Sequence, residues 1–154
     1  MNEIEELVLK QAGSEHIRVL TEMNQELIRD EQSENRMDYG ELYNRMSDFI
    51  SSDWKAMLLV CKEEIIGYGL YQERKNAYDS AKEEIYLRQY FIRKPFRGRG
   101  LGREGVIKLR ADVFPKSAAL ILDVLESNDA GRRFWESLGF KPYYTNMKLQ
   151  HIKN

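Results

Sequence analysis

Apolar residues recur along this chain with two alternating periods, and the switches between them mark out its elements. The stretch EELVLKQA, residues 5 to 12, reads as a first strand. Ser14 is placed to cap a helix that carries Ile17, Leu20, Met23 and Leu27 on one broad face. A polar break from Glu31 to Arg36 follows. Asp38 and Glu41 then stand at capping-box spacing before Tyr39, Leu42, Tyr43, Met46, Phe49 and Ile50, which step by three and four and predict a second helix. WKAMLLVC (54 to 61) and IIGYGLYQER (65 to 74) flank the short polar KEE and predict an antiparallel hairpin. Gly67 and Gly69 strip side chains from one face of its second strand, which allows either close approach of a backbone or ligand, or tight packing under a helix.

EEIYLRQYFIRK (83 to 94) is rich in β-branched and aromatic residues and ends at Pro95, which has no amide hydrogen to extend a ladder. Beyond it Leu101, Gly105, Leu109 and Val113 follow a helical stripe stopped by Pro115, and AALILDVL (118 to 125) is an apolar run of buried-strand type. Strand, helix and strand in this order predict a crossover unit. Asn128 can cap a last helix with Phe134 and Leu138 on one face and Gly139 at its C-terminal cap, and YYTNMKLQ (143 to 150) reads as a final strand. The fold expected is a single mixed α/β domain over 1–154, with a central sheet that is antiparallel at its start, parallel across the fourth and fifth strands, and covered by helices on both faces.

The composition agrees with a folded globule. The 154 residues are 42% hydrophobic and 32% charged, and a chain of this size buries roughly 68–70% of its unfolded surface. A net charge of -1 gives no global attraction to nucleic acid or anionic membrane. One cysteine, Cys61, lies in an apolar run and reads as a buried thiol; with two histidines in the chain, a Cys/His metal site is not expected. The start MNEIEELVLK has no basic segment leading into a long apolar core, so secretion and membrane spanning are disfavoured and a cytoplasmic location is expected.

Candidate chemistry concentrates in FIRKPFRGRGLGREGVIKLR, residues 91 to 110. Glycines let backbone N–H groups converge without Cβ atoms in the way, and a helix beginning near Leu101 adds roughly half a positive charge at its start. Arg97, Arg99 and Arg103 can add charge-assisted hydrogen bonds, and a pyrophosphate fits such a site. Other readings exist for the same residues. GLGREG (100 to 105) satisfies the dinucleotide pattern G-x-G-x-x-G with Asp123 downstream, but four residues separate the strand from the first glycine pair and only a short tail follows Asp123. No Gly-Lys-Ser/Thr follows, which excludes a P-loop. An RGG-like nucleic-acid contact lacks a basic surround, and a plain glycine turn with solvated arginines stays open.

Two motifs resemble the GNAT superfamily of acyl-CoA-dependent N-acyltransferases. Arg97, Gly100 and Gly102 match its Arg/Gln-x-x-Gly-x-Gly/Ala signature between the fourth strand and the next helix, and NDAGRRFWESLGF, Asn128 to Phe140, is similar to its second motif. The resemblance implies a twisted sheet of six to seven strands flanked by about four helices. It implies that backbone amides of Gly98, Gly100, Leu101, Gly102 and Arg103, with Arg97 and Arg99, cradle the pyrophosphate of acetyl-CoA. It further implies that the strand at 85 to 93 parts from 118 to 125 to admit pantetheine, with Phe91 and Ile92 alongside it, Tyr90's amide facing the thioester oxygen, and Asn128 and Trp135 on the cofactor's arm.

The reaction implied is direct attack of a primary amine, on a small molecule or peptide, upon the acetyl thioester. Trp135 stands where many relatives place a general-acid tyrosine, and Tyr86 and Arg88 where others carry Glu or His. The proton carriers therefore stay unassigned among Glu84, Tyr86 and Tyr144. Arg88 is a candidate for binding an acidic group on the acceptor, or for a salt bridge to Asp30 or Glu84. Residues 24 to 38 are candidates for the acceptor wall. Expected partners are acetyl-CoA and the amine, without metal, nucleic acid or membrane, and a homodimer is allowed. The alternative reading is a noncatalytic acyl-CoA-binding or regulatory module.

Overall fold

The structure is a computed structural model that describes residues 6–151. The chain forms two compact units, Met1–Asp123 and Val124–Asn154. The first contains one five-stranded sheet in the order β1-β2-β3-β4-β5, made of Leu7–Gln11, Trp54–Cys61, Glu64–Lys75, Glu83–Ile92 and Ala119–Ile121. The first four strands pair antiparallel and β5 runs parallel to β4, as the hairpin and crossover patterns predict. Helices α1 (Ile17–Glu31) and α2 (Tyr39–Ile50) precede β2, and α3 (Leu101–Lys108) lies between β4 and β5. The second unit holds α4, Asp129–Ser137.

Local chemistry accounts for most boundaries. Asp38 and Glu41 close the capping box of α2: the Glu41 amide donates to Asp38 Oδ1 at 2.9 Å and the Asp38 amide to Glu41 Oε1 at 3.2 Å. Ser14, expected as the cap of α1, instead opens a 3₁₀ turn, Ser14–His16, in which the Gly13 amide donates to His16 Nδ1 at 3.0 Å. α3 passes into a π-helical turn, Leu109–Val113, closed by the Phe114 amide donating to the Leu109 carbonyl at 2.8 Å.

Two expectations are corrected. The sheet has five strands among the described residues, not six to seven, because YYTNMKLQ forms no strand and Tyr143, Met147 and Leu149 stand exposed. The fifth strand spans only Ala119–Ile121 of the expected 118 to 125.

The core of the first unit has a layer on each sheet face. Leu20, Met23, Met46, Leu58, Tyr68, Leu70 and Phe91 pack on the α1/α2 side, and Leu7, Leu59, Cys61, Ile66 and Leu101 pack on the α3 side. β2 is buried on both faces from Ala56 to Leu59, which is why its apolar run does not alternate.

The two glycines of β3 differ in kind. A Cβ at Gly67 would lie 2.1 Å from the Phe91 carbonyl oxygen, so this glycine permits two backbones to approach. A Cβ at Gly69 would meet Tyr90, Leu87 and Leu109 side chains at 3.4 to 3.7 Å, ordinary packing under a helix. Gly67→Ala is therefore expected to lose at least about 1–3 kcal/mol, while Gly69→Ala stays within about 1 kcal/mol of wild type. Urea midpoints of the two variants check this; equal losses would remove the distinction.

Candidate functional site

β4 leaves the sheet through Pro95, which lies in a 3₁₀ turn, Lys94–Phe96. Gly98 and Gly100 then both take φ +77°, in the left-handed region, and Gly100 is the N-cap of α3 with no side chain to satisfy the helix's first amides. The first helical bond, from the Glu104 amide to the Gly100 carbonyl, spans 3.0 Å. Among the described residues the amides of Gly98, Gly100, Leu101 and Gly102 donate to no protein acceptor. A Cβ built on Gly98 or Gly100 meets nothing within 4 Å, so the concave side of this loop opens onto free space. Open amides at a helix start, in a loop without side chains, form a seat for a phosphate group.

The loop is held from three sides. Tyr90 donates its hydroxyl to the Gly102 carbonyl at 2.6 Å and fits against Gly105, where a Cβ would come within 2.2 Å of that hydroxyl. Burial pushes the Tyr90 phenol up, so it stays a neutral donor. Arg97 donates from Nε to the Ile92 carbonyl at 2.8 Å, ion-pairs with Asp30 at the end of α1, and lies over the Phe91 ring at 5.3 Å. The signature arginine thus ties the loop to β4 and α1 through its side chain. Arg99 lies over Phe96 at 5.6 Å, and Arg103 is in the first turn of α3.

β4 is paired on both edges only at its start. β5 matches Glu84, Ile85 and Tyr86 and no residue beyond, while β3 accompanies β4 to Ile92. The Arg93 amide donates to the Ile66 carbonyl at 2.7 Å, and the Phe91 carbonyl faces Gly67. Backbone polar groups alternate sides along a strand, so those of Tyr90 and Ile92 point away from β3, towards the side where β5 has stopped. Arg97 takes the Ile92 carbonyl on that side.

A β-bulge sets what the other face of β4 displays. Leu70 pairs with Gln89 and Tyr71 with Leu87, which leaves Arg88 as the extra residue. Strict alternation would place Tyr86, Arg88 and Tyr90 on one face. The bulge instead puts Tyr90 with Leu87 and Gly69 on the α3 side, and Tyr86, Gln89 and Phe91 on the α1/α2 side. Arg88 lies over the rings of Phe49 and Trp54 at 5.3 and 5.7 Å and joins neither carboxylate expected of it. Asp30 is held by Arg97, and Glu84 accepts from the Asn76 side chain. Of the expected acceptor wall, Asn24 is buried and accepts from Arg45 at 3.2 Å.

Tyr86 packs edge-on to Trp54 with centroids 6.0 Å apart and donates its hydroxyl to Asp123. Burial first, then the hydrogen bond to Asp123 and its charge, push the phenol up to about 12. Asp30 and Asp123 thus serve in other roles than those expected of them, as partners of Arg97 and Tyr86, and Arg45 is a residue of this face that no sequence motif marked. In the second unit Asn128 accepts from the Gly131 amide at 3.0 Å, Trp135 stacks edge-on against Phe134 and Phe140, and Tyr144 is exposed beside Tyr143. Among the described residues no group of three or more His, Cys, Asp or Glu gathers, and no helix is long and apolar enough to cross a membrane.

A mixed sheet whose fourth and fifth strands part beside a glycine loop with open amides is the fold of the acyl-coenzyme-dependent transferases. The chain belongs to the acetyltransferase (GNAT) family, whose model matches residues 17–140. Similar solved structures include an aminoglycoside N-acetyltransferase in complex with CoA, 12% identical, with 98% of each chain covered and a TM-score of 0.75. A possible acetyltransferase from Clostridium difficile is 14% identical, with 96% of this chain and 99% of that one covered and a TM-score of 0.77. A predicted acetyltransferase from Clostridium acetobutylicum, with acetyl-CoA, is 14% identical, with 94% and 96% covered and a TM-score of 0.73. No curated protein matches the chain.

The Tyr86 phenol gives a pH prediction. Below about pH 10 it is protonated in both folded and unfolded chains and its contribution is constant. As pH rises from there to about 12, the unfolded phenol ionises while the folded one holds its proton, so stability falls. Urea unfolding across that window is expected to show a shallower decline for Tyr86→Phe than for wild type; parallel curves would contradict the assignment.

Proposed function

We propose that this protein transfers an acetyl group from acetyl-CoA to a primary amine of a small molecule or peptide, by direct attack while both are bound, and that its two units act as one cytoplasmic acyltransferase domain. The observation that carries the reading is the set of four open amides at Gly98, Gly100, Leu101 and Gly102, on the loop that follows the parted end of β4. The family match runs from residue 17 to 140 and so spans both units. Two structural neighbours are described with CoA or acetyl-CoA, and one acts on aminoglycosides, which are small amines.

In this reading the loop amides, with Arg99 and Arg103, hold the diphosphate, and Arg97 keeps the loop in place through Ile92 and Asp30. Phe91 and Ile92 flank the cofactor's arm. Acetyl-CoA supplies an activated acyl group as its thioester. Tyr90's amide, directed away from β3, donates to the carbonyl oxygen as charge gathers there, a contribution of about 2.7–4 kcal/mol for such a donor.

The acceptor amine must first be neutral. A lysine-like amine, of pKa about 10.4, costs about 4–5 kcal/mol to deprotonate at pH 7. None of the three proposed carriers is poised for this. Glu84 is engaged by Asn76, Tyr144 is exposed, and Tyr86 is a neutral phenol held by Asp123. A phenol pushed up to about 12 is also too weak an acid to protonate a departing thiolate, whose ordinary pKa is about 8.5. Solvent is left as the proton's source and sink. The engagement of Glu84 and Tyr86 is the observation that favours the second reading, a noncatalytic acyl-CoA-binding module.

Release of free thiol from acetyl-CoA across a panel of amino acids, polyamines, aminoglycosides and peptides tests the proposal. Amine-dependent release is expected for at least one class, and tight binding without release under every amine would establish the module instead. Gly100→Val is expected to weaken acetyl-CoA binding at least tenfold, since its side chain enters the phosphate seat in a strained conformation; unchanged affinity would dislodge the cofactor assignment.

A further inference from the structure

Two guanidinium groups approach one aromatic ring, that of Phe49, on the α1/α2 face of the sheet. Arg45, from the middle of α2, lies 5.7 Å from the Phe49 centroid and Arg88, from the β4 bulge, lies 5.3 Å from it. Arg88 also covers Trp54 at 5.7 Å. Arg45 is fixed from below by its bond to Asn24, which is 1% exposed, while its Nε is buried with no acceptor.

Neither arginine has a carboxylate partner among the described residues. Three acids of this unit are engaged elsewhere: Asp30 by Arg97, Glu84 by Asn76, and Asp123 by Tyr86. Glu31, at the end of α1, has its carboxyl raised by burial and by Asp30, which favours its neutral form. Burial and the neighbouring Arg88 also hold Arg45 below the usual guanidinium range, an electrostatic strain that an anion would relieve.

Like charges side by side, one with a buried donor left unsatisfied, are costly unless an anion joins them. A guanidinium can form bidentate bonds to carboxylate or phosphate oxygens through its edge. We propose that Arg45 and Arg88 bind a carboxylate or phosphate group carried by the amine acceptor, so that the substrates are small anionic amines. This rests on the acyl-transfer reading of β4. Arg88 lies two residues from Tyr90, about 7 Å along a strand, which is the length over which one short molecule can present an amine at one end and an anion at the other. Polycationic amines are disfavoured by the same pair of charges.

The test uses acceptor pairs that differ only in the anion, β-alanine with β-alaninamide and phosphoethanolamine with ethanolamine, assayed with acetyl-CoA by thiol release. The anionic member is expected to have the higher kcat/KM by about tenfold to hundredfold, the range of a charge-assisted bond. Arg88→Gln and Arg45→Gln should bring that ratio to about one by raising KM for the anionic member, and Arg88→Lys should keep part of it. A neutral member used equally well by wild type, or variants that slow both members alike, overturns the proposal while leaving acyl transfer intact. Absence of thiol release with every amine is the failure of the acyl-transfer reading instead. In that event inorganic phosphate, titrated against the fluorescence of Trp54 in a Trp135→Phe background, decides: a saturable change lost in Arg88→Gln supports the anion site, and no change refutes it.

Discussion

Backbone N–H groups that have nowhere to donate govern how this structure is organised. A folded chain ordinarily satisfies such groups, and leaving them open costs stability. Here four amides at the start of α3 lack a protein acceptor, and the strand before them loses one of its two neighbours after Tyr86. Much of the surrounding packing holds these groups open: Tyr90 fastens the helix start, Arg97 fastens the loop to β4 and α1, and glycine at 105 lets the two elements close upon the Tyr90 hydroxyl. The arrangement is what an anion with an attached extended chain requires.

The two faces of β4 divide the labour. The bulge at Arg88 reverses the alternation, so that Tyr90 reaches α3 while Gln89 and Phe91 enter the core under α1 and α2. Gln89 accepts from the fully buried Tyr68 hydroxyl at 2.8 Å, which satisfies a polar group that burial would otherwise penalise. One extra residue thereby lets a single strand serve the glycine loop on one side and a group of aromatics and arginines on the other.

Much of this was legible in the chain. The α2 capping box, the hairpin, the crossover and the glycine loop all depend on short-range patterns that survive in any tertiary setting. The bulge was not legible, because EEIYLRQYFIRK alternates no differently with or without an extra residue. Nor was the Arg97 side chain's attachment, since Asp30 comes to it from 67 residues earlier in the chain. The last segment failed for the opposite reason: YYTNMKLQ has strand composition, but a strand needs a partner ladder as well as propensity, and none is present among the described residues.

The central claim is that the open amides of the α3 start receive the coenzyme's diphosphate. Backbone amide NMR during titration with acetyl-CoA addresses it residue by residue. The account predicts that the resonances of Gly98, Gly100, Leu101 and Gly102 shift together and saturate with the bound fraction. Saturable binding with these four unmoved, or no binding at all, would contradict it.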